Sequence, residues 1–480
     1  MANRPFFSFH FHKQSHTPIY VQLAEQLQTA ILRGAFLIDG QQLISLREMK
    51  KASGCSLESV KKAYDYLVAE GWLEAVHGKG YFLTGKAKEA RMDSRMPLTD
   101  IPIASFSDSS PRPSEELVKR LRSAFFESLA VLDETSAEKK KRRAHANKVF
   151  ADHLKRRGLP HFPERLLLFN RSTSGFAFLA QRIMTPRDVV YVEEYSYPVF
   201  LRLLSQCGVT VRPIPIDEEG ISISALEKEQ ERYPANWLLT NPHYQFPTGI
   251  SYSRERKEEL LTWAARRNVR LVENDHYGDL WFREPSQTLY QMTLEQNRPV
   301  HVYYLHSLSK TLARDLQLGV LLLPADLEDD ELERYRQLVN ITGAEPSLLI
   351  VEAAVQLLSD PWFSETYLEE RRAIFASRFE MLWREAAHAL PAHARMYPTT
   401  GGLNTWIEWG SPVANAAVLE DRVVSLLLQE GLELTPGSAF RVPDEAADAM
   451  RRPAVRFPFG HADTDELRHW LHRLGAALLI

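Results

Sequence analysis

The 480 residues predict an α/β protein in two parts: a large body on a mostly parallel central sheet, and before it a small three-helix head with a two-stranded wing. Two observations carry that prediction. From about Leu166 onward, short apolar runs alternate with helical segments, the pattern of a parallel sheet covered on both faces. Before residue 85, three amphipathic segments closed by glycines give way to a period of two. The length also exceeds the ~250–300 residues at which one core stops growing, so more than one domain is expected.

Bulk composition narrows the class without naming it. Charged residues make up 25% and the formal net charge is −4, which neither announces a nucleic-acid binder nor excludes one. Any basic surface must be local. Cys55 and Cys207 have no CxxC or Cys/His spacing, so neither a disulfide framework nor a zinc site is expected, and a reducing cytoplasm fits. The N-terminal stretch lacks a signal-peptide core, and no window reaches the ~18 apolar residues of a membrane span. A soluble protein without a membrane partner is expected. His10, His12 and His16 stand in a polar leader and are read as incidental, so no metal is expected.

In the head, Tyr20, Leu23, Leu27 and Ile31 form one stripe of a first helix, closed by Gly34. A second helix starts at the cap Ser45, turns Met49 and Ala52 inward and ends at Gly54. Ser56 caps a third, with Val60, Tyr64 and Leu67 on one face before Gly71. "WLEAV" and "YFL" then read as a hairpin around "HGKG". This is the order of a winged helix-turn-helix, with Arg47, Lys61, Lys62 and Lys79 on surfaces that approach phosphates. The same pattern fits a small interaction domain whose lysines are merely solvated.

The stretch from Pro18 to Leu83 resembles the DNA-binding domain of the GntR family of bacterial regulators. The resemblance implies that double-stranded operator DNA is touched by Arg47, by Ser56, Leu57, Glu58, Ser59 and Lys61 at the third helix, and by the wing at His77, Gly78 and Lys79. One departure stands out: Leu57 and Glu58 replace the arginine and small hydroxyl residue usual there, while Ser59 is kept. A carboxylate suits a helix N-terminus but is repelled by phosphates unless it accepts from a cytosine amino group, so an unusual operator is expected. The head is assigned to residues 14–84, a charged linker without periodicity to 85–104, and the body to 105–480. Five consecutive cations, Lys139 to Arg143, read either as a second nucleic-acid contact or, the favoured reading, as a solvated helix face.

In the body, polar residues fall at the carboxyl ends of the expected strands: Ser174-Gly175 after "LLLF", Tyr197 after "DVVYV", Asn241 after "NWLLT", Asp275 after "VRLVEN", and Ser307 to Lys310 after "HVYYLH". Each alone is ordinary. Together they match the needs of pyridoxal phosphate: an amine for its aldehyde (Lys310), a carboxylate for its ring nitrogen (Asp275), an aromatic face and a phenol (Tyr197, Tyr277), and phosphate donors (Ser307 and the N–H groups following Ser174-Gly175).

"YSYPVF", "NPHYQFPTG", "ENDHYGDL", "SLSK" and "AVRFPFG" resemble the fold-type-I aminotransferases from about residue 105 to the end, and with the head the chain resembles the MocR branch of the GntR regulators. The resemblance implies an α/β body of the fold-type-I aminotransferase class, Lys310 as the residue forming an imine with the cofactor, Asp275 as the pyridine-nitrogen partner, and Arg456 as a bidentate clamp for the carboxylate of an effector, expected to be an amino compound. It also exposes a loss. Where the family has a Pro-Gly pair and then a phosphate-gripping arginine, this chain has Arg314-Asp315 and Gln317, and Phe176 and Ala177 replace a small polar residue and a glutamine. A charge-assisted contact contributes roughly 1.5–3 kcal/mol, so either Arg314 substitutes or the cofactor is held weakly or not at all; retained binding is the favoured reading. The expected protein is a homodimeric, DNA-binding transcription regulator that senses pyridoxal phosphate, with transaminase activity at most residual. An active aminotransferase, or a DNA-binding head on a domain that no longer binds cofactor, are the alternatives.

Overall fold

The computed structural model describes residues 11, 17–32, 37–38, 42–76, 78–84, 87, 111–284, 286–442 and 450–479. The chain divides into two compact units, Met1–Pro102 and Ile103–Ile480. His10, His12, His16, Gly34 and His77 lie outside the described residues, as does the expected linker apart from Ala87.

The head contains α1 (Ile19–Leu32), β1 (Leu37–Ile38), β2 (Gln42–Leu43), α2 (Leu46–Ser53), α3 (Leu57–Ala69), β3 (Leu73–Val76) and β4 (Gly80–Leu83). Leu23, Leu27, Ile31, Met49, Val60, Tyr64 and Leu67 close into one core, with the Tyr64 hydroxyl donating to the Ile44 carbonyl at 2.8 Å. Ala52, expected inward, is exposed: α2 is only eight residues long and buries Met49 alone. The caps set the turn between the helices. Ser45 and Glu48 form a capping box, Gly54 takes the left-handed conformation (φ 70°) that ends α2, and Ser56 accepts from Ser59 N to start α3. The wing is larger than the sequence announced. Its strands β3 and β4 are joined by β2 and β1 in the order β1-β2-β4-β3.

The apolar runs of the body become strands of one seven-stranded sheet: β5 (Leu166–Phe169), β6 (Val189–Glu193), β7 (Thr210–Ile214), β10 (Trp237–Thr240), β11 (Arg270–Asp275), β12 (Val302–Ser307) and β13 (Gly319–Leu322), with a small β8 (Ile216–Asp217)/β9 (Gly220–Ile221) hairpin between. The order is β5-β13-β12-β11-β10-β6-β7, and β13 alone runs against its neighbours. Alternate residues feed two cores, Leu238, Leu271 and Tyr304 on one face and Leu239, Val272 and Leu305 on the other. A second, antiparallel sheet, which the sequence does not announce, follows: β14 (Ala394–Met396), β15 (Asn404–Trp409), β16 (Thr435–Pro436) and β17 (Ala454–Pro458), in the order β14-β15-β17-β16. It shares a third core with the helices Leu368–Ala389 and Thr464–Ala477.

The cationic run sits on the helix Ser136–Lys155. Arg142 pairs with Glu134 and Glu352, and Arg143 with Glu345, so two of the five cations are engaged within the body. Among the described residues, no helix is long and apolar enough to cross a membrane.

Candidate functional site

Because β6, β10, β11 and β12 are adjacent, their carboxyl ends align the expected residues along one edge. Glu193, Ser196, Tyr197, Asn241, Phe246 and Asn274 line a small cleft there. Tyr197 precedes the helix Pro198–Gln206, with its ring edge-on to Phe200 and Phe246 at 5.4 and 5.5 Å. Asn241 differs from the expectation of a ligand contact. Its amide nitrogen donates to the carbonyls of His243 and Asn274 (2.9 and 2.6 Å) and its oxygen accepts from Phe246 N (2.9 Å), so it is committed to shaping its own loop. The buried carboxylate Glu193 beneath it is fully satisfied, accepting from Tyr252 OH, Thr240 Oγ1, Asn241 N and Gln245 Nε2 at 2.6–3.0 Å.

Asp275 ends β11, buried, in register with His306 of β12. Its Oδ2 accepts from Arg157 Nη2 at 2.5 Å and from Tyr304 OH at 2.7 Å, and the Arg157 cation holds its carboxyl well below the usual range despite burial. Its Oδ1 is equally buried and has no hydrogen-bond partner among the described residues. An anionic oxygen left unsatisfied in a low-dielectric interior is costly. It is the acceptor that a protonated pyridine nitrogen requires, so the residues present fit that cofactor.

Arg157 is absent from the residues that the sequence singles out. It lies just past the helix Ser136–Lys155, is itself buried, and reaches Tyr304 OH (2.7 Å) and Asp279 Oδ1 (3.6 Å) as well as Asp275. Asp279 Oδ2 stands 3.2 Å from the Nε2 atoms of both His153 and His306. The sequence carries half a signal for this cluster, since Tyr304 and His306 alternate on the face of β12 that meets Asp275. It carries none for an arginine at the end of a distant helix.

Lys310 closes a short turn, Leu308–Lys310, directly after β12, and is half-buried. Burial and the Lys310 cation push the His276 imidazole down to about 3. Tyr277, one residue on, is buried with its hydroxyl accepting from Asn404 Nδ2 at 2.7 Å and its ring 3.8 Å from that of His276. Ser307, the last residue of β12, turns its Oγ to accept from Ser309 N. Ser174 and Gly175 lie in the first turn of the helix Ser172–Arg182, and Gly175 packs against Leu305 and Phe169. Phe176 is buried against Phe200 (4.4 Å), so the departure at that position is absorbed by the core. Arg314 starts a second short turn, and its side chain lies outside the described residues; Gln317 ends that turn in the left-handed conformation (φ 50°). Arg456 sits on β17, buried, over the rings of Phe246 and Phe440, and donates to Thr435 Oγ1 at 3.2 Å. Phe246 therefore links Tyr197 to Arg456 across the cleft.

In the head, Arg47, Ser56, Leu57, Glu58, Lys61, Gly78 and Lys79 are exposed and Ser59 is half-buried. Glu58 pairs with Lys62 at 2.9 Å, one turn along α3, which offsets its repulsion from phosphates.

A seven-stranded sheet with one reversed strand, carrying a lysine, a buried aspartate and flanking tyrosines at its carboxyl edge, defines a pyridoxal-phosphate aminotransferase fold. Residues 108–474 match the family model for aminotransferase class I and II, and residues 19–83 match that for bacterial regulatory proteins of the gntR family. The chain belongs to the class I and II aminotransferase family, with a GntR-type helix-turn-helix head, the combination found in the MocR-type regulators. The pyridoxine biosynthesis transcriptional regulator PdxR of Corynebacterium glutamicum is 26% identical over 96% of each chain. The probable rhizopine catabolism regulatory protein MocR of Rhizobium meliloti is 26% identical over 76% of each. Among solved structures, the α-aminoadipate aminotransferase LysN of Thermus thermophilus, complexed with N-(5'-phosphopyridoxyl)-L-leucine, superposes with a TM-score of 0.63 at 23% identity, over 77% of this chain and 90% of that one.

Proposed function

We propose that the chain is a DNA-binding transcription regulator whose aminotransferase-like domain senses pyridoxal phosphate, alone or together with an amino compound. The observation that carries this reading is the buried Oδ1 of Asp275, without a partner among the described residues, at a strand end next to the strand that Lys310 follows, in a chain whose GntR-type head exposes the start of its third helix. When bound, pyridoxal phosphate supplies an aldehyde that condenses with amines and a ring that withdraws electrons. Lys310 would offer the amine, Asp275 would accept the ring N–H, and Tyr197 and Tyr277 would supply an aromatic face and a phenol. Ser307, Ser174 and the N–H groups following Gly175 would hold the phosphate, with Arg314 in place of the cation that Gln317 does not supply. Asn241 contributes through the loop it holds. Arg456 would take the carboxylate of an amino effector, whose binding beside Lys310 would bias the arrangement that the head reads.

The head binds operator DNA through Arg47, the start of α3 and the wing. A homodimer matches two half-sites, and the exposed Phe125, Phe126, Leu129 and Leu132 around the end of the helix Glu115–Ser128 offer an apolar face to a second copy. The test is a titration with pyridoxal phosphate of the wild type and Lys310→Ala, paired with binding to a duplex selected from a random pool. The expected result is a visible band in the wild type alone and an operator affinity that changes with cofactor. Steady amino-group transfer from an amino acid to a keto acid would favour the enzyme reading. A colourless protein with unchanged operator affinity would reject the sensor.

A further inference from the structure

Arg157 presents a puzzle that the cofactor's needs do not solve. A guanidinium on Asp275 neutralises the carboxylate that is meant to hold a proton on the cofactor ring, and a cation that close disfavours a second one. The protein nevertheless makes room for it. A Cβ at Gly278 would overlap the guanidinium, so the glycine is what admits Arg157 to the floor of the site. The same loop brings Asp279 to the other side of Arg157, where its Oδ1 faces Nε at 3.6 Å, and both groups are buried. Among the described residues Asp279 Oδ1 has no hydrogen-bond partner, while Oδ2 is served by two imidazoles. In direct contact, then, are two carboxylates and one guanidinium.

Resting on the cofactor reading above, we infer that Asp279 and Arg157 are positioning residues that act through Asp275. Arg157, with Tyr304, occupies Oδ2 and leaves Oδ1 as the free acceptor, and Asp279 offsets the charge of Arg157 so that Asp275 still favours a protonated ring. The proton stays on the ring nitrogen, shared with Oδ1, and no bond is broken. Without Asp279, the Arg157–Asp275 pair is neutral overall and discriminates little between a charged and an uncharged ring. Without Arg157, two carboxylates act on the ring together and the preference for charge grows.

These opposite signs set the experiment. The full chain is titrated with pyridoxal phosphate and with 1-deazapyridoxal phosphate, in which carbon replaces the ring nitrogen, and the ratio of the two dissociation constants is read from visible absorbance. The wild type should prefer the natural ring. Asp279→Asn should shrink that preference by about tenfold, the scale of one charge-assisted contact, whereas Arg157→Gln should enlarge it. Tyr304→Phe removes a neutral bond to the same Oδ2 and should weaken both ligands while leaving the ratio in place. A purely structural role would move Asp279→Asn and Arg157→Gln in the same direction, or leave the ratio untouched in both, and either result overturns the inference. If one variant does not fold, the other overturns the inference when its ratio stays at the wild-type value or moves against the direction given, and supports it when the ratio moves as given while Tyr304→Phe leaves it in place. A wild type that binds both ligands equally overturns the inference alone; a wild type that binds neither overturns the cofactor reading as well.

Discussion

His243 is buried with Nε2 2.7 Å from Lys257 Nζ, and burial together with that cation pushes its imidazole down to about 3. An unfolded histidine titrates near ~6.5, so between these values the unfolded chain binds the additional proton and stability falls as pH drops through that window. Glu273, pushed up by burial and by Asp275, contributes with the opposite sign, because the folded state then holds the additional proton. The informative quantity is therefore a difference. His243→Gln should lose stability less steeply than wild type between about pH 6.5 and 4, by up to about 1.4 kcal/mol per pH unit, in urea unfolding followed at each pH. Equal slopes would mean that His243 carries its proton in the folded protein. Residue-scale expectations from the sequence fared unevenly: Lys310, Asp275 and Tyr277 gather at one edge, but Asn241 is taken up by its own loop, because an amide that can bond backbone on three sides gives no sign in sequence of where its bonds go.

At the scale of elements, the helix Ser172–Arg182 depends on the strand next to the one that the lysine follows. Gly319, the first residue of β13, lies so close to Arg171 and Ser172 that a Cβ would overlap their backbone. Gly319→Ala should push back the N-terminus of that helix. Pyridoxal phosphate affinity should fall at least about tenfold, while pyridoxal, which has no phosphate for the helix to hold, should lose little, as measured by parallel absorbance titrations. Equal losses for both ligands would place the damage elsewhere. The elements themselves were legible because short apolar runs that alternate with helical segments have few other ways to be buried. The antiparallel sheet of β14 to β17 was not. The helix Ala416–Gln429 stands between β15 and β16, and two of the strands, β14 and β16, have only three and two residues.

For the whole molecule, Phe126 is 77% exposed and Leu132 63%, on one helix end that also exposes Leu129. Large apolar side chains clustered in this way are costly in water unless covered. The double variant Phe126→Asp/Leu132→Asp should sediment as a monomer at micromolar concentration where the wild type sediments as a dimer, and should lose operator affinity with it. A wild-type monomer would remove the second copy from the proposal.

The sequence by itself determined that a three-helix head with a wing precedes a mostly parallel α/β body, because hydrophobic period and helix caps are local properties that the chain carries residue by residue. It also determined which chemistry is concentrated at strand ends, since each polar residue follows an apolar run that must end there. Only the tertiary structure decided what those residues face. Arg157 stands 118 positions before Asp275 and reaches it because a helix end is packed against a sheet face beside a glycine. Contacts of that kind depend on how elements are layered, and no spacing along the chain encodes them.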